Sequence, residues 1–142
     1  MVKYSGMKKF EVLPHAAGSA VRVVASTRAG LITAALQGVF AAAEARVDEM
    51  NDEKRERPFS IVAEDFPALL KTLLDKAIIE GLANTEAYDE VRFTLITDKA
   101  AEGAFVGKGS MGFGNSAKSV RGGMIVAKNE ADEWETTVVV EK

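Results

Sequence analysis

The stretch Phe10–Ala43, FEVLPHAAGSAVRVVASTRAGLITAALQGVFAAA, decides the fold. It reads strand, turn, strand, long helix. Phe10 and Val12 alternate with Lys9 and Glu11, the period of a half-buried strand. Pro14 is expected to stop that strand, and Gly18 with Ser19 to make the turn. Val21, Val23 and Ala25 then alternate with Ala20, Arg22 and Val24. Ser26 or Thr27 can accept the first free amides of a helix. Leu31, Ile32, Ala35, Leu36, Val39, Phe40, Ala43 and Val47 recur at helical spacing. The expectation is a helix from Arg28 to about Met50 with one stripe facing a core.

Working outward, Asp48–Arg57 is a dense mixed-charge run, read as a solvated helix end and loop. Phe59, Ile61 and Ala63 give a third strand. Asp65 can cap a second helix with Pro67 in its first turn, and Gly81 is a plausible stop. From Asp89 the period returns to two, through Val91, Phe93 and Leu95, with a turn at Lys99–Glu102 and a return strand over Ala104–Ser110. Ser119–Lys128 and Glu133–Glu141 read as a closing hairpin around Asn129–Asp132, with Trp134, Val138 and Val140 as core candidates. Two helices among grouped strands argue for an α+β fold, the helices packed on a mostly antiparallel sheet.

The chain of 142 residues is expected to form a single domain over 1–142, with 1–7 a loose lead-in. Its net charge of -3 exerts no general pull on nucleic acid or anionic membrane. The absence of cysteine excludes disulfides, thiolate metal sites and a cysteine nucleophile, and fits a reducing, cytoplasmic setting. No apolar run reaches the roughly 20 residues that span a bilayer, so no membrane role is expected.

The glycine-rich run Gly103–Gly123 holds seven of the twelve glycines. Gly107-Lys108-Gly109-Ser110-Met111-Gly112 matches G-x-G-x-x-G, but Phe113-Gly114-Asn115-Ser116 cannot continue as the helix that a dinucleotide site needs. No acidic residue occurs between Gly103 and Asn129, so Lys108, Lys118 and Arg121 could hold a phosphate-bearing ligand or RNA. Against that stands a mobile hairpin loop in which glycine permits tight turns. His15, the sole imidazole, stands beside the Pro14 turn and reads as a structural residue. One His, no Cys and no clear nucleophile leave few parts for catalysis, so an enzyme of unknown reaction ranks third among the readings.

Several of these stretches also resemble the archease family. Its first strand runs into a His-Thr-Ala-Asp turn. Here the turn is Leu13-Pro14-His15-Ala16-Ala17-Gly18, so the His is present and the Asp position holds Gly18. Glu64–Leu70 resembles the family's acidic-led second helix. Lys118-Ser119-Val120-Arg121-Gly122-Gly123 is similar to a Lys-Ala-Val-Thr-Tyr-His strand, matching at Lys118 and Val120. Trp134–Glu141 is similar to the closing β-run, with Glu141 in the near-terminal Asp position.

The resemblance runs from Phe10 onward and implies a non-catalytic, chaperone-like accessory protein. Its implied partner is an RtcB-type tRNA-splicing RNA ligase, whose guanylylation and turnover it assists. It implies a partner site at His15, Lys118 and Glu141. Some archeases hold a divalent metal such as calcium through carboxylates that include the two Asp positions, as a hard cation requires. With Gly18 in one of them, Glu141 is left as the remaining ligand of a degenerate metal site, and no firm cofactor is expected.

Overall fold

The computed structural model describes residues 8–47 and 53–142. The described elements run β1 (Lys8–His15), β2 (Gly18–Ala25), α1 (Arg28–Ala42), β3 (Ala45–Val47), β4 (Lys54–Val62), α2 (Phe66–Asn84), β5 (Glu86–Ile96), β6 (Ala100–Phe113), β7 (Ser119–Val120), β8 (Ala127–Lys128) and β9 (Trp134–Glu141). The α+β class stands, but the strands form two antiparallel sheets instead of one. The first is ordered β1-β2-β9-β7, with β8 also paired to β9. In the second, β6 pairs with β4, β5 and, near its end, β3. The lead-in 1–7 lies outside the described residues.

The opening hairpin differs from its reading in one respect. The loop is Ala16 and Ala17, while Gly18 and Ser19 already belong to β2. Pro14 does not stop β1. It sits inside the strand, which is tolerated because β1 is at the sheet's edge.

Helix α1 packs on β1, β2 and β9 of the first sheet and on β5 of the second. It is therefore covered on more than one side. Ala34, Gly38 and Ala42 are buried along with the expected stripe, as a helix apolar nearly all round requires. Thr27, not Ser26, is its cap, with Oγ1 accepting from Gly30 N–H at 3.0 Å. The helix ends at Ala42, well short of Met50. A distant segment ends it. Asn115 Nδ2 donates to the Ala42 carbonyl at 3.1 Å, and Gly114 N–H to the Glu44 carbonyl at 3.0 Å. Those groups satisfy carbonyls that another helical turn would have used. Glu44 turns at φ 52°, and Val47 leaves on β3 instead of the helix.

Helix α2 starts as expected. Asp65 Oδ1 accepts from Ala68 N–H at 2.9 Å, and Pro67 sits in the first turn. Leu69, Leu70, Leu73, Leu74 and Ala77 are fully buried. Gly81 is not the stop. It faces the Phe40 ring, and the helix runs on to Asn84 before Thr85 turns at φ 53°.

Two further readings are corrected by β4 and β6. The charged residues Lys54–Arg57 are the start of β4, not a loop; Asp48–Asp52 lie outside the described residues. The first part of the glycine run is not a hairpin loop either: Gly103–Phe113 belongs to β6, paired with both β4 and β5 as far as Lys108, whereas Gly114, Gly122 and Gly123 lie outside the strands. A Cβ at Gly107 would lie 1.9 Å from the Ala87 carbonyl oxygen. The glycine is there because the backbone of the paired strand β5 comes close against β6 beside a register shift between Tyr88 and Glu90. The closing hairpin is interrupted between β7 and β8, around Gly122 and Gly123. Val138 and Val140 are buried in the core, and Trp134 packs at its margin.

Candidate functional site

Residues from three distant places in the chain meet at one end of the first sheet. His15 is the register partner of Gly18, Gly18 of Glu141, and Glu141 of Ser119. This is one row across β1, β2, β9 and β7. Register partners share a face, and Val140 and Val120 point into the core, so Glu141 and Ser119 occupy the outer face. Lys118 adjoins the row, donating its N–H to the Glu141 carbonyl at 2.8 Å. Its side chain is exposed and forms no ion pair among the described residues.

Two side chains of this row are already committed. Arg121 Nη2 lies 3.3 Å from Glu141 Oε2. His15 Nδ1 accepts from Ala17 N–H at 3.0 Å, which fixes the tautomer whose Nε2 carries the hydrogen and faces outward. The row therefore presents a mixed donor surface of imidazole N–H, ammonium and guanidinium, with a single carboxylate beneath it.

That arrangement does not fit a divalent cation. Among the described residues, no group of three or more His, Cys, Asp or Glu could hold a metal. Glu141 has Arg121 as its counter-charge. Gly18, in the Asp position, has φ 150°, and a Cβ there would lie 2.4 Å from the Val140 carbonyl oxygen. Restoring the acid as Gly18→Asp should therefore destabilise the fold by about 1–3 kcal/mol without creating stabilisation by calcium. Thermal melts with and without calcium check both halves of that expectation.

Lys108 is placed elsewhere. It sits on β6 of the second sheet, beside a cavity of about 350 Å³ bordered by Gln37, Phe40, Tyr88 and Asp89. The basic residues of the glycine-rich run are thus divided between two sheets, with Lys118 and Arg121 on the first.

Sequence reading missed the second polar cluster entirely. Glu86 is fully buried. Arg57 donates to it through Nε and Nη2, both at 2.8 Å, and the Tyr88 hydroxyl donates at 2.7 Å. Arg55 Nη1 approaches at 3.5 Å. The route for these side chains is open because Arg55, Gly107 and Tyr88 are consecutive register partners, as are Gly109 and Glu86, and the glycines put no side chain in the way. The alternation of Arg55 and Arg57 was a signal of one polar face. Their partner, some thirty residues on, left no local mark.

The two-pronged bond from Arg57 holds the Glu86 carboxyl below its ordinary range, against the opposing effect of burial, and the Tyr88 hydroxyl adds to it. Burial, then the bond to Glu86, pushes the Tyr88 phenol upward. For Glu86 the sign follows directly. A carboxylate depressed in the folded state stabilises above its unfolded pKa of about 4.3, and that contribution is lost as pH falls through the folded value. Acid titration should therefore weaken the protein below about pH 4, and should narrow its stability lead over Glu86→Gln. Denaturation midpoints measured from pH 7 to pH 3 check this.

With that geometry in place, the class is clear: a two-sheet α+β protein whose outer-face row presents polar and charged groups. The profile of the Archease protein family (MTH1598/TM1083) matches residues 10–141. The chain belongs to the archease family. It resembles the crystal structure of an archease from Thermotoga maritima, described as a possible chaperone, with TM-score 0.63 and 13% identity over 92% of this chain and 94% of that one. It also resembles the solution structure of protein 1598 from Methanobacterium thermoautotrophicum, with TM-score 0.67 and 16% identity over 94% of this chain and 98% of that one. Comparison with curated proteins gave no match. Among the described residues, no helix is long and apolar enough to cross a membrane.

Proposed function

We propose that this protein is a non-catalytic, chaperone-like accessory protein of the cytoplasm. It acts by docking the row His15–Gly18–Glu141–Ser119, with Lys118, onto an RtcB-type tRNA-splicing RNA ligase and promoting the ligase's guanylylation and turnover. Membership of the archease family supports the class of function. The observation that carries the site is the register itself: residues separated by more than a hundred positions become neighbours on one exposed sheet end.

The row works here without a cation. Arg121 takes the counter-charge role beside Glu141, and the exposed Lys118 ammonium and His15 Nε2–H are left to meet acidic or carbonyl groups on the partner. No group in the row needs to exchange protons or form bonds for this.

The test is affinity. His15→Ala, Lys118→Ala and Glu141→Ala combined should weaken ligase binding at least about tenfold, because three hydrogen-bonding or charged contacts are removed from one patch. All three side chains are exposed or half-exposed, so the melting temperature should move little. Unchanged binding by the folded triple variant would refute the site. Calcium or a chelator should leave the binding of the unaltered protein unchanged.

A further inference from the structure

The two edges of the first sheet are treated differently. At the β7 edge, Val120 N–H is taken by the Asp75 carboxylate of α2 at 2.8 Å. At the β1 edge, no described group from outside reaches the backbone of Phe10 or Val12. The direction of those groups is fixed by the turn. A two-residue hairpin loop makes His15 and Gly18 the hydrogen-bonded closing pair, so odd-numbered residues of β1 bond to β2. Lys8, Phe10 and Val12 therefore point their N–H and C=O outward, and Pro14, which has no N–H, takes the fourth outward place.

We propose that this edge pairs with a second copy of the same chain, antiparallel, about a two-fold axis at Phe10. The sequence of the strand is self-complementary about that residue. Phe10 meets the partner's Phe10, and the backbone of Lys8 meets that of the partner's Val12. Lys9 then stands opposite the partner's Glu11, and the same pair forms again on the other side of the axis. Lys9 and Glu11 are exposed and form no ion pair among the described residues, so both are available. Moving the axis to Val12 is worse in two ways: it sets Phe10 against Pro14, losing a hydrogen bond, and sets Lys9 against His15, losing the charge match. Phe10 and Val12 are 37% and 38% exposed on this edge, and pairing would cover them. The two five-stranded sheets would become one continuous sheet of ten strands. With three outward residue pairs the contact is small, so the dimer is weak and visible only at high concentration.

Sedimentation equilibrium of the full chain at low salt tests this. The unaltered protein should dimerise reversibly as concentration rises toward 1 mM. Lys9→Glu and Glu11→Lys should each weaken self-association at least about tenfold, since every cross-strand pair becomes a like-charge pair. Mixing the two variants in equal amounts should restore a dimer, because one supplies Glu at both positions and the other Lys at both. Three results would overturn the proposal: a monomer throughout, a dimer indifferent to both substitutions, or two monomeric variants that fail to associate when mixed. A strand from another protein would then be the remaining occupant of the edge.

Discussion

Gly107→Ala should destabilise the protein by about 3 kcal/mol or more, at or beyond the upper end of what added core atoms cost. The new methyl would fall 1.9 Å from the Ala87 carbonyl oxygen and 2.7 Å from Tyr88 Cα. Both obstacles are backbone, so no side-chain rotation relieves them. The pairing of β5 with β6 must shift, and with it the stack of Tyr88 on Phe105, whose ring centroids lie 5.6 Å apart. Gly109→Ala is the control. It belongs to the same glycine pattern, yet the nearest atom to its Cβ is Arg55 Nη2 at 3.9 Å. That change should fall within about 1 kcal/mol of neutral. Guanidinium denaturation of the two variants separates a glycine needed by packing from one kept for flexibility. For a chain of this size the first should also lose roughly 10 °C in melting temperature.

Glu86→Ala should cost about 1–3 kcal/mol, because the buried Tyr88 hydroxyl loses its acceptor and the partly exposed Arg57 loses its two-pronged bond. Arg57 loses two hydrogen bonds of 2.8 Å, and the Tyr88 hydroxyl loses one of 2.7 Å. The effect should appear at the end of the second sheet first. Amide exchange should speed up in β4 and β5 more than in β2 and β9, which share no strand pairing with the cluster. Uniform loss of protection across both sheets would mean that the cluster supports the whole core.

What the sequence made legible was what local chemistry decides. The period-two and period-3.6 patterns placed β1, β2 and the start of α1, and the side chains of Thr27 and Asp65 capped the helices they preceded. Of the polar residues that the family resemblance marked, His15 and Glu141 lie in one register row and Lys118 adjoins it, a neighbourhood that their positions along the chain do not reveal. The misreadings share a cause of the opposite kind. The end of α1 depends on Asn115, which lies 73 positions from the carbonyl it caps. Lys54–Arg57 looked like a solvated run because the acid that recruits two of its arginines is Glu86, on another strand. Gly103 and Gly107 read as part of a loop because the backbone pressed against them belongs to β5, a separate segment. In each case a contact between distant segments overrode the local preference.

The row at the end of the first sheet carries the functional account, and Gly18 is its most constrained position. Its backbone stands at φ 150°, with the Val140 carbonyl pressed against the missing Cβ, and has no room for an acidic side chain. Arg121 lies beside Glu141 instead.

The most direct measurement is guanylylation of the RtcB-type ligase from the same organism, followed with radiolabelled GTP, in the presence and absence of this protein, with the ligase's own metal supplied throughout and calcium added or omitted. The account predicts clear stimulation that is the same with and without calcium and is lost with the His15, Lys118 and Glu141 triple variant. An active ligase whose guanylylation is the same with and without the folded protein would contradict it.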